Sequence, residues 1–358
     1  MRYLRLMALT AGAGFVLVWA WIIAAPLAFM DPEYPSWRAK QILLETCDLG
    51  DTVVLGDSRA AVDILPDRLP GRVANLAVGG GEAIEALAQA RRLTRCASRP
   101  ARVILSFDPS HFAYPDLLWE RSVRYGLLSW ADLNDLREAT RRTSDASVYA
   151  RHHILNLPDL ARDWLYRLRF PPFYFASLTH GGVFLRWHRN EARLQAALAS
   201  RGQYYFGMQP GSDTVAAEGH LAAFQPLPIL DDGFNRLLAL LDSLGIDTVF
   251  LAMPVNDATW NAEPQAVRER FRAYLASYER RYTRFHVITD TPAHWPNRYF
   301  GDQFCHLNPE GAERFSTLLA QRLQEAPPST QKDAQNGWFS ATDAEASRSV
   351  APISKRGS

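Results

Sequence analysis

From about residue 40 onward, the chain alternates short, almost wholly apolar runs with longer stretches whose apolar residues recur every three or four positions. The short runs are TVVLG (52–56), RVANLA (72–77), RVILSF (102–107), DTVFLAM (247–253) and FHVIT (285–289). They are rich in Val and Ile and carry no polar face, the pattern of parallel strands buried on both sides. Helical spacing appears at 82–93, 231–245 and 308–323. The second of these stops at Gly245, a residue suited to the C′ position. The third opens with Asn308 as cap and Pro309 in the first helical position. The order βαβα predicts an α/β protein with a doubly wound parallel sheet, a three-layer α/β/α sandwich.

Three stretches break this rhythm. Residues 113 to about 228 separate the third strand from the fourth and carry helical patterns and the aromatic run FPPFYFASL (170–178). They are too long and too apolar for a loop, and an inserted helical cap is expected. Residues 327–358 are rich in Ser, Ala, Asp and Lys and predict a disordered tail. Leu6 to Met30 contains no charge. As a helix it would be about 37 Å long, enough to cross a bilayer. A cleaved signal peptide is the competing reading, although its apolar core is normally shorter; a buried helix is a third. Arg2 and Arg5 precede the span, so residues 1–30 are expected to anchor the chain in the inner membrane, with 31–326 outside in the periplasm. Trp19 and Trp21 fall within the span.

The bulk composition narrows the partners. The chain has 358 residues, 47% hydrophobic and 22% charged, with a net charge of +1. Nothing in that balance points to a nucleic acid. Of the three cysteines, Cys47 and Cys96 each lie just before a strand. If those strands are neighbours, an oxidising compartment would allow the thiols to pair; two free thiols is the alternative. Cys305 is left unpaired in both cases.

Function in such a sheet collects where the strands end. The first strand ends in Gly56-Asp57-Ser58. The second leads into NLAVGGGEAIEA, with Asn75 and Gly79 to Gly81. The third ends in SFDPSHF with Asp108, and GDQFCHLNPEG places Asp302 and His306 ahead of the last helix. Acyl transfer through a serine needs a base, a carboxylate that orients the base, and N–H donors for the oxyanion. Each part has a candidate: Ser58 as nucleophile, His306 as base, Asp302 as orienting carboxylate, and the N–H groups of Ser58 and Gly80 for the oxyanion. Ser58 and His306 are expected within hydrogen-bond reach or slightly beyond. Each residue also has a plainer role open to it, Ser58 as a helix cap, the glycines as packing or phosphate-binding backbone, His306 as a structural residue near a helix start. No metal or cofactor is expected.

With these motifs the sequence resembles the SGNH (GDSL-like) hydrolase superfamily over roughly 50–110 and 245–320. GDS at 56–58 matches the nucleophile block, NLAVGG at 75–80 the oxyanion block through Gly80, and HLNPEG at 306–311 the final block. The span and the cap make it more similar to exported members associated with polysaccharide O-acetylation and teichoic-acid alanylation, which work beside a membrane-bound O-acyltransferase. The resemblance implies an acyl-serine intermediate that either transfers or hydrolyses an ester. Two positions depart from the pattern. The third block usually supplies Asn to the oxyanion hole, and Asp108 stands there. An ionised carboxylate only accepts hydrogen bonds, so Asp108 must be protonated, turned away or committed elsewhere. The orienting Asp normally precedes the His by three residues; Gln303 stands there and Asp302 lies one further back. The expected function is an anchored serine acyltransferase or esterase acting on O-acyl groups, expected to be acetyl, of an extracellular polysaccharide. The alternatives are a weakly active or inactive glycan-binding or docking partner of the membrane acyltransferase, and a lipase facing the membrane. The aromatic residues Trp119, Trp130, Trp164, Phe173, Tyr174 and Phe175 of the cap would suit sugar, lipid or partner, or form its ordinary core.

Overall fold

The computed structural model describes residues 1–115, 117–150, 159–174 and 183–325. Among the described residues seven strands occur: β1 Thr52–Gly56, β2 Val73–Asn75, β3 Arg102–Ser106, β4 Asp247–Leu251, β5 Val255–Asn256, β6 Phe285–Thr289 and β7 His294–Trp295. Five form a central sheet in the order β2-β1-β3-β4-β6, with every neighbouring pair parallel. β5 and β7 pair separately.

The lack of a polar face on the strands now has its cause. Alternate residues along a strand point to opposite sides. Val53, Leu55, Val103, Leu105 and Phe250 enter one core with Leu87, Phe234 and Phe271. Val54, Ile104, Val249 and Leu251 enter a second with Ala60, Phe315 and Leu319. Helices therefore cover both faces, Ala83–Leu93, Pro228–Ser243 and Gln265–Glu279 on the first, Ser58–Asp63 and Pro309–Glu325 on the second. β2 is shorter than its apolar run because it is an edge strand paired over three positions only. The helix before β4 begins at Pro228, three residues earlier than its leucine repeat suggests, because proline fits its first turn. Asn308 caps the last helix as expected, accepting the Gly311 N–H at 3.0 Å. A long, mainly helical stretch lies between β3 and β4, including Trp130–Thr143, Asp159–Arg167 and Val183–Ala199. Phe175 and the tail 327–358 lie outside the described residues, and of Phe173 only the backbone is described.

The first helix runs Arg2–Ala24 with a mean hydropathy of 2.1 in its most apolar window, enough by length and composition to cross a membrane. It is shorter than the apolar run from which it was read. Ala25, which precedes Pro26, leaves the helical region (φ −124°, ψ 60°), because a residue before proline is sterically pushed out of it. A short helix Pro26–Phe29 follows, and Ala28, Phe29 and Met30 are buried with Tyr34, Trp37, Val78 and Tyr125. These last residues of the apolar run belong to the globular core.

Because β1 and β3 are neighbours, Cys47 and Cys96 enter from the same edge. They form a disulfide with a Cα–Cα distance of 5.6 Å. Cys305 is free and buried.

Candidate active site

The site grows from the turn after β1. Gly56 has φ +150°, and a Cβ there would lie 2.1 Å from the Ser106 carbonyl oxygen, so only glycine lets the two strand ends approach this closely. Asp57 is the N-cap of the helix Ser58–Asp63, its Oδ1 accepting the N–H groups of Arg59 at 2.9 Å and Ala60 at 3.2 Å. Capping is thus done by Asp57. Ser58, the first helical residue, stays partly exposed while Gly56, Asp57 and Arg59 are buried.

At the other end of the chain, His306 Nδ1 lies 2.6 Å from Asp302 Oδ2. The four-residue spacing works because the loop folds over the carboxylate. Asp302 Oδ1 accepts the N–H groups of Phe304 at 2.8 Å and His306 at 3.3 Å, and Cys305 takes a left-handed φ of +59°. Burial alone would raise the Asp302 pKa. The hydrogen bond and charge of His306 outweigh it and hold the carboxyl below its ordinary value. His306 Nε2 is buried without a hydrogen-bond partner among the described residues. Ser58 Oγ therefore does not close a hydrogen bond to it.

Three contacts tie these pieces together. The Leu307 N–H donates to Asp63 Oδ1 at 2.9 Å, joining the histidine loop to the helix that Ser58 begins. The Val78 N–H donates to the Gly56 carbonyl at 3.0 Å, joining the glycine loop to the turn before Ser58. Phe206 stacks on His306 with ring centroids 4.7 Å apart, and its Cζ would lie 3.3 Å from a Cβ at Gly79. Gly80 has φ +65°. The N–H groups of Ser58 and Gly80 have no protein acceptor among the described residues, as an oxyanion site requires. Asn75 is structural here, its Nδ2 donating to the Ala60 and Ile64 carbonyls at 2.8 and 3.0 Å.

Asp108 belongs to a buried ion network. Its Oδ1 accepts the Ser110 N–H at 2.7 Å, and its Oδ2 lies 2.8 Å from His111 Nδ1 and 3.4 Å from Arg59. The His111 contact is close but poorly aligned, so it is an ion pair more than a hydrogen bond. Burial opposes ionisation of Asp108, but the His111 and Arg59 charges prevail and hold its pKa well below the usual carboxylate range. Burial likewise opposes the charge on His111, yet Asp108 pushes its pKa up to about 10. An ionised carboxylate held this way donates nothing to an oxyanion. Arg59 also pairs with Glu218 at 2.6 Å. Asp57, Asp108 and His111 bring ligand-type atoms within 4.8 Å of one another, but the cations facing the two carboxylates are the protein's own His111 and Arg59.

A cavity of about 840 Å³ lies alongside, lined by Glu33, Arg121, Tyr125, Tyr204 and Phe206 among others. Glu33 pairs with Arg121 at 3.0 Å, and its Oε1 would lie 2.3 Å from a Cβ at Gly79. The cavity therefore adjoins both the glycine loop and, through Phe206, the His306 imidazole. Beneath the loop the buried Lys40 donates to the carbonyls of Asn75 and Ala77, and burial pushes its pKa down to about 7. Sequence reasoning missed Phe206, Lys40 and the Glu33–Arg121 pair, which reach the site only through tertiary packing. His111, three residues after Asp108, had a local signal. No protein-family model matches this sequence, and no curated protein matches it significantly. The functional reading therefore rests on the geometry.

Proposed function

We propose that the chain is an exported, membrane-anchored serine acyl-transfer enzyme of SGNH-like three-layer architecture, acting on O-acyl groups of an extracellular polysaccharide. The observation that carries this is the Asp302–His306 pair at 2.6 Å with Nε2 buried and free. In this reading, Ser58 Oγ attacks the acyl carbonyl and His306 Nε2 takes its proton. The N–H groups of Ser58 and Gly80 hold the oxyanion, and the leaving alkoxide takes the proton back. The acyl-serine then passes its group to a sugar hydroxyl or to water. No metal or cofactor enters this scheme. A membrane-bound O-acyltransferase is the expected neighbour and acyl supplier.

Retention of the first helix is supported by its attachments. Trp19 Nε1 donates to the Leu168 carbonyl at 2.7 Å, and Ile22 is buried. Cleavage near Asp31 would also remove Phe29 and Met30 from the core. The disulfide suits an oxidising compartment such as the periplasm. The runner-up, a docking or glycan-holding partner without turnover, is favoured by the open Ser58–His306 contact and by the carboxylate at Asp108.

Purified full-length chain in detergent, treated with a fluorophosphonate or an activated acetate ester, should be modified at Ser58. Ser58→Ala should abolish the modification. Asp302→Asn should slow it by roughly 10²–10⁴-fold while leaving Ser58 reactive. Absence of any Ser58 adduct in the folded wild-type chain would hand the assignment to the docking reading.

A further inference from the structure

The first helix enters the globular domain with no linker. It ends at Ala24, and by Ala28 the chain is already buried in the core. Part of the domain also runs back along the helix. The Phe170 ring packs against Phe15 at 6.1 Å and Trp19 at 5.5 Å, centroid to centroid. Phe15 stands nine residues before the helix end, about 13 Å along the axis, and Trp19 about 7 Å. Phe170 thus lies at the level of lipid-facing side chains such as Val16 and Leu17, which are 62% and 70% exposed. Its neighbour Arg169 reaches from there to the Ile23 carbonyl at 3.2 Å in the last turn, the posture of a long cationic side chain directed from apolar surroundings toward headgroups.

A second element reaches the same junction. Val183 packs in the cluster of Ile22, Ala28 and Tyr174. From the same helix Asn190 Nδ2 donates to the Leu27 carbonyl at 2.8 Å. Between these two anchored residues, Leu185 and Trp187 point outward, 54% and 47% exposed. Exposed Leu and Trp beside the end of a membrane-crossing helix match the composition of the bilayer interface, where indole rings concentrate.

We infer that Leu168 to Phe170, with Leu185 and Trp187, seats the folded domain in the lipid bilayer at the leaflet where the first helix emerges, with the Phe170 ring among the acyl chains and Arg169, Leu185 and Trp187 at headgroup level. The inference rests on that helix being a retained anchor and is independent of catalysis. The occupant of this surface is lipid. Depth along the helix, the missing linker and the Trp–Arg composition all favour it.

The test uses the full-length chain in vesicles of phosphatidylcholine and phosphatidylglycerol with no other protein. Single nitroxide labels go on Leu185→Cys and Trp187→Cys, with Ser98→Cys as control. Ser98 is exposed and lies two residues past Cys96, whose disulfide partner Cys47 follows the far end of the helix Tyr34–Glu45. That helix starts at the membrane junction and is about 18 Å long. The wild-type chain, whose Cys305 is buried, serves as the unlabelled blank. Accessibility to dissolved oxygen relative to a water-soluble nickel chelate should be several-fold higher at 185 and 187 than at 98. Equal, water-like values at all three sites would overturn the inference, whether the patch is bare or meets a protein in the cell. Release of the chain by alkaline carbonate would also overturn it, through loss of the anchor. Failure of Ser58 to form an acyl adduct would leave it standing.

Discussion

Asp108 decides much of what this site can do. Held between Arg59 and His111 in a buried place, it cannot take over a donor's role, and its removal disturbs two cations at once. Asp108→Asn leaves Arg59 with Glu218 and leaves His111 with Asp57 at 3.5 Å and the field of Glu82. Breaking a buried pair from one side costs roughly 3–5 kcal/mol, so the variant should melt well below wild type, and any oxyanion benefit from the new amide would act in a weakened fold. The pH dependence follows from His111, whose folded pKa of about 10 lies above its ordinary 6.5. A raised pKa contributes stability that is full below the ordinary value and is lost as pH rises through the folded one. The His111 contribution to wild-type stability should therefore fall between pH 6.5 and 10, and Asp108→Asn should flatten that slope. Melting curves across this range check it, and a slope unchanged by the substitution would refute the ion network. The pairing itself was half legible. Asp108 and His111 stand three apart in DPSH, but Arg59 and Glu218 are 159 residues apart and meet only in the fold.

At the scale of elements, the strands were legible because a parallel strand buried on both faces writes its burial into a short local run. Their ends were less so, since pairing length depends on neighbours, as with the edge strand β2. The Asp302–His306 pair was legible as residue types, whereas its spacing was explained only by the turn through Cys305 and the two N–H bonds to Asp302. The glycine loop was visible as a motif, but its walls, Phe206 and the Glu33–Arg121 pair, arrive from distant segments. One element-level requirement is local and sharp. β1 and β3 register Gly56 against Ser106, and no side chain fits between them. Gly56→Ala forces a methyl onto a carbonyl oxygen that a rigid strand cannot move aside. It should cost about 3 kcal/mol or more and displace Ser58 with it. Urea unfolding would measure the cost, and stability within ~0.5 kcal/mol of wild type would contradict the close packing of the two strand ends.

Across the whole molecule, the first helix and the globular domain are not separable modules. The apolar run that reads as one continuous span is divided in the fold, with Arg2–Ala24 forming the exposed helix and Ala28, Phe29 and Met30 sealing a cluster around Tyr34, Trp37, Val78 and Tyr125. That cluster backs the cavity wall at Glu33 and Tyr125, which stands beside Gly79. Two truncations, one beginning at Ala25 and one at Asp31, distinguish a spanning segment from a structural one. Both lose the helix and Ile22, but only the second loses Phe29 and Met30. Removing a buried Phe costs about 3–5 kcal/mol, and a domain of this size shifts its melting temperature by roughly 2–4 °C per kcal/mol. The chain starting at Asp31 should therefore melt roughly 10 °C below the chain starting at Ala25. Its Ser58 labelling should also slow, because the support behind the glycine loop is gone. If the two melt together and label at the same rate, the residues after Pro26 are ordinary leader sequence. A mature protein beginning near Asp31 in the cell would then be expected, and the anchor would fall with it.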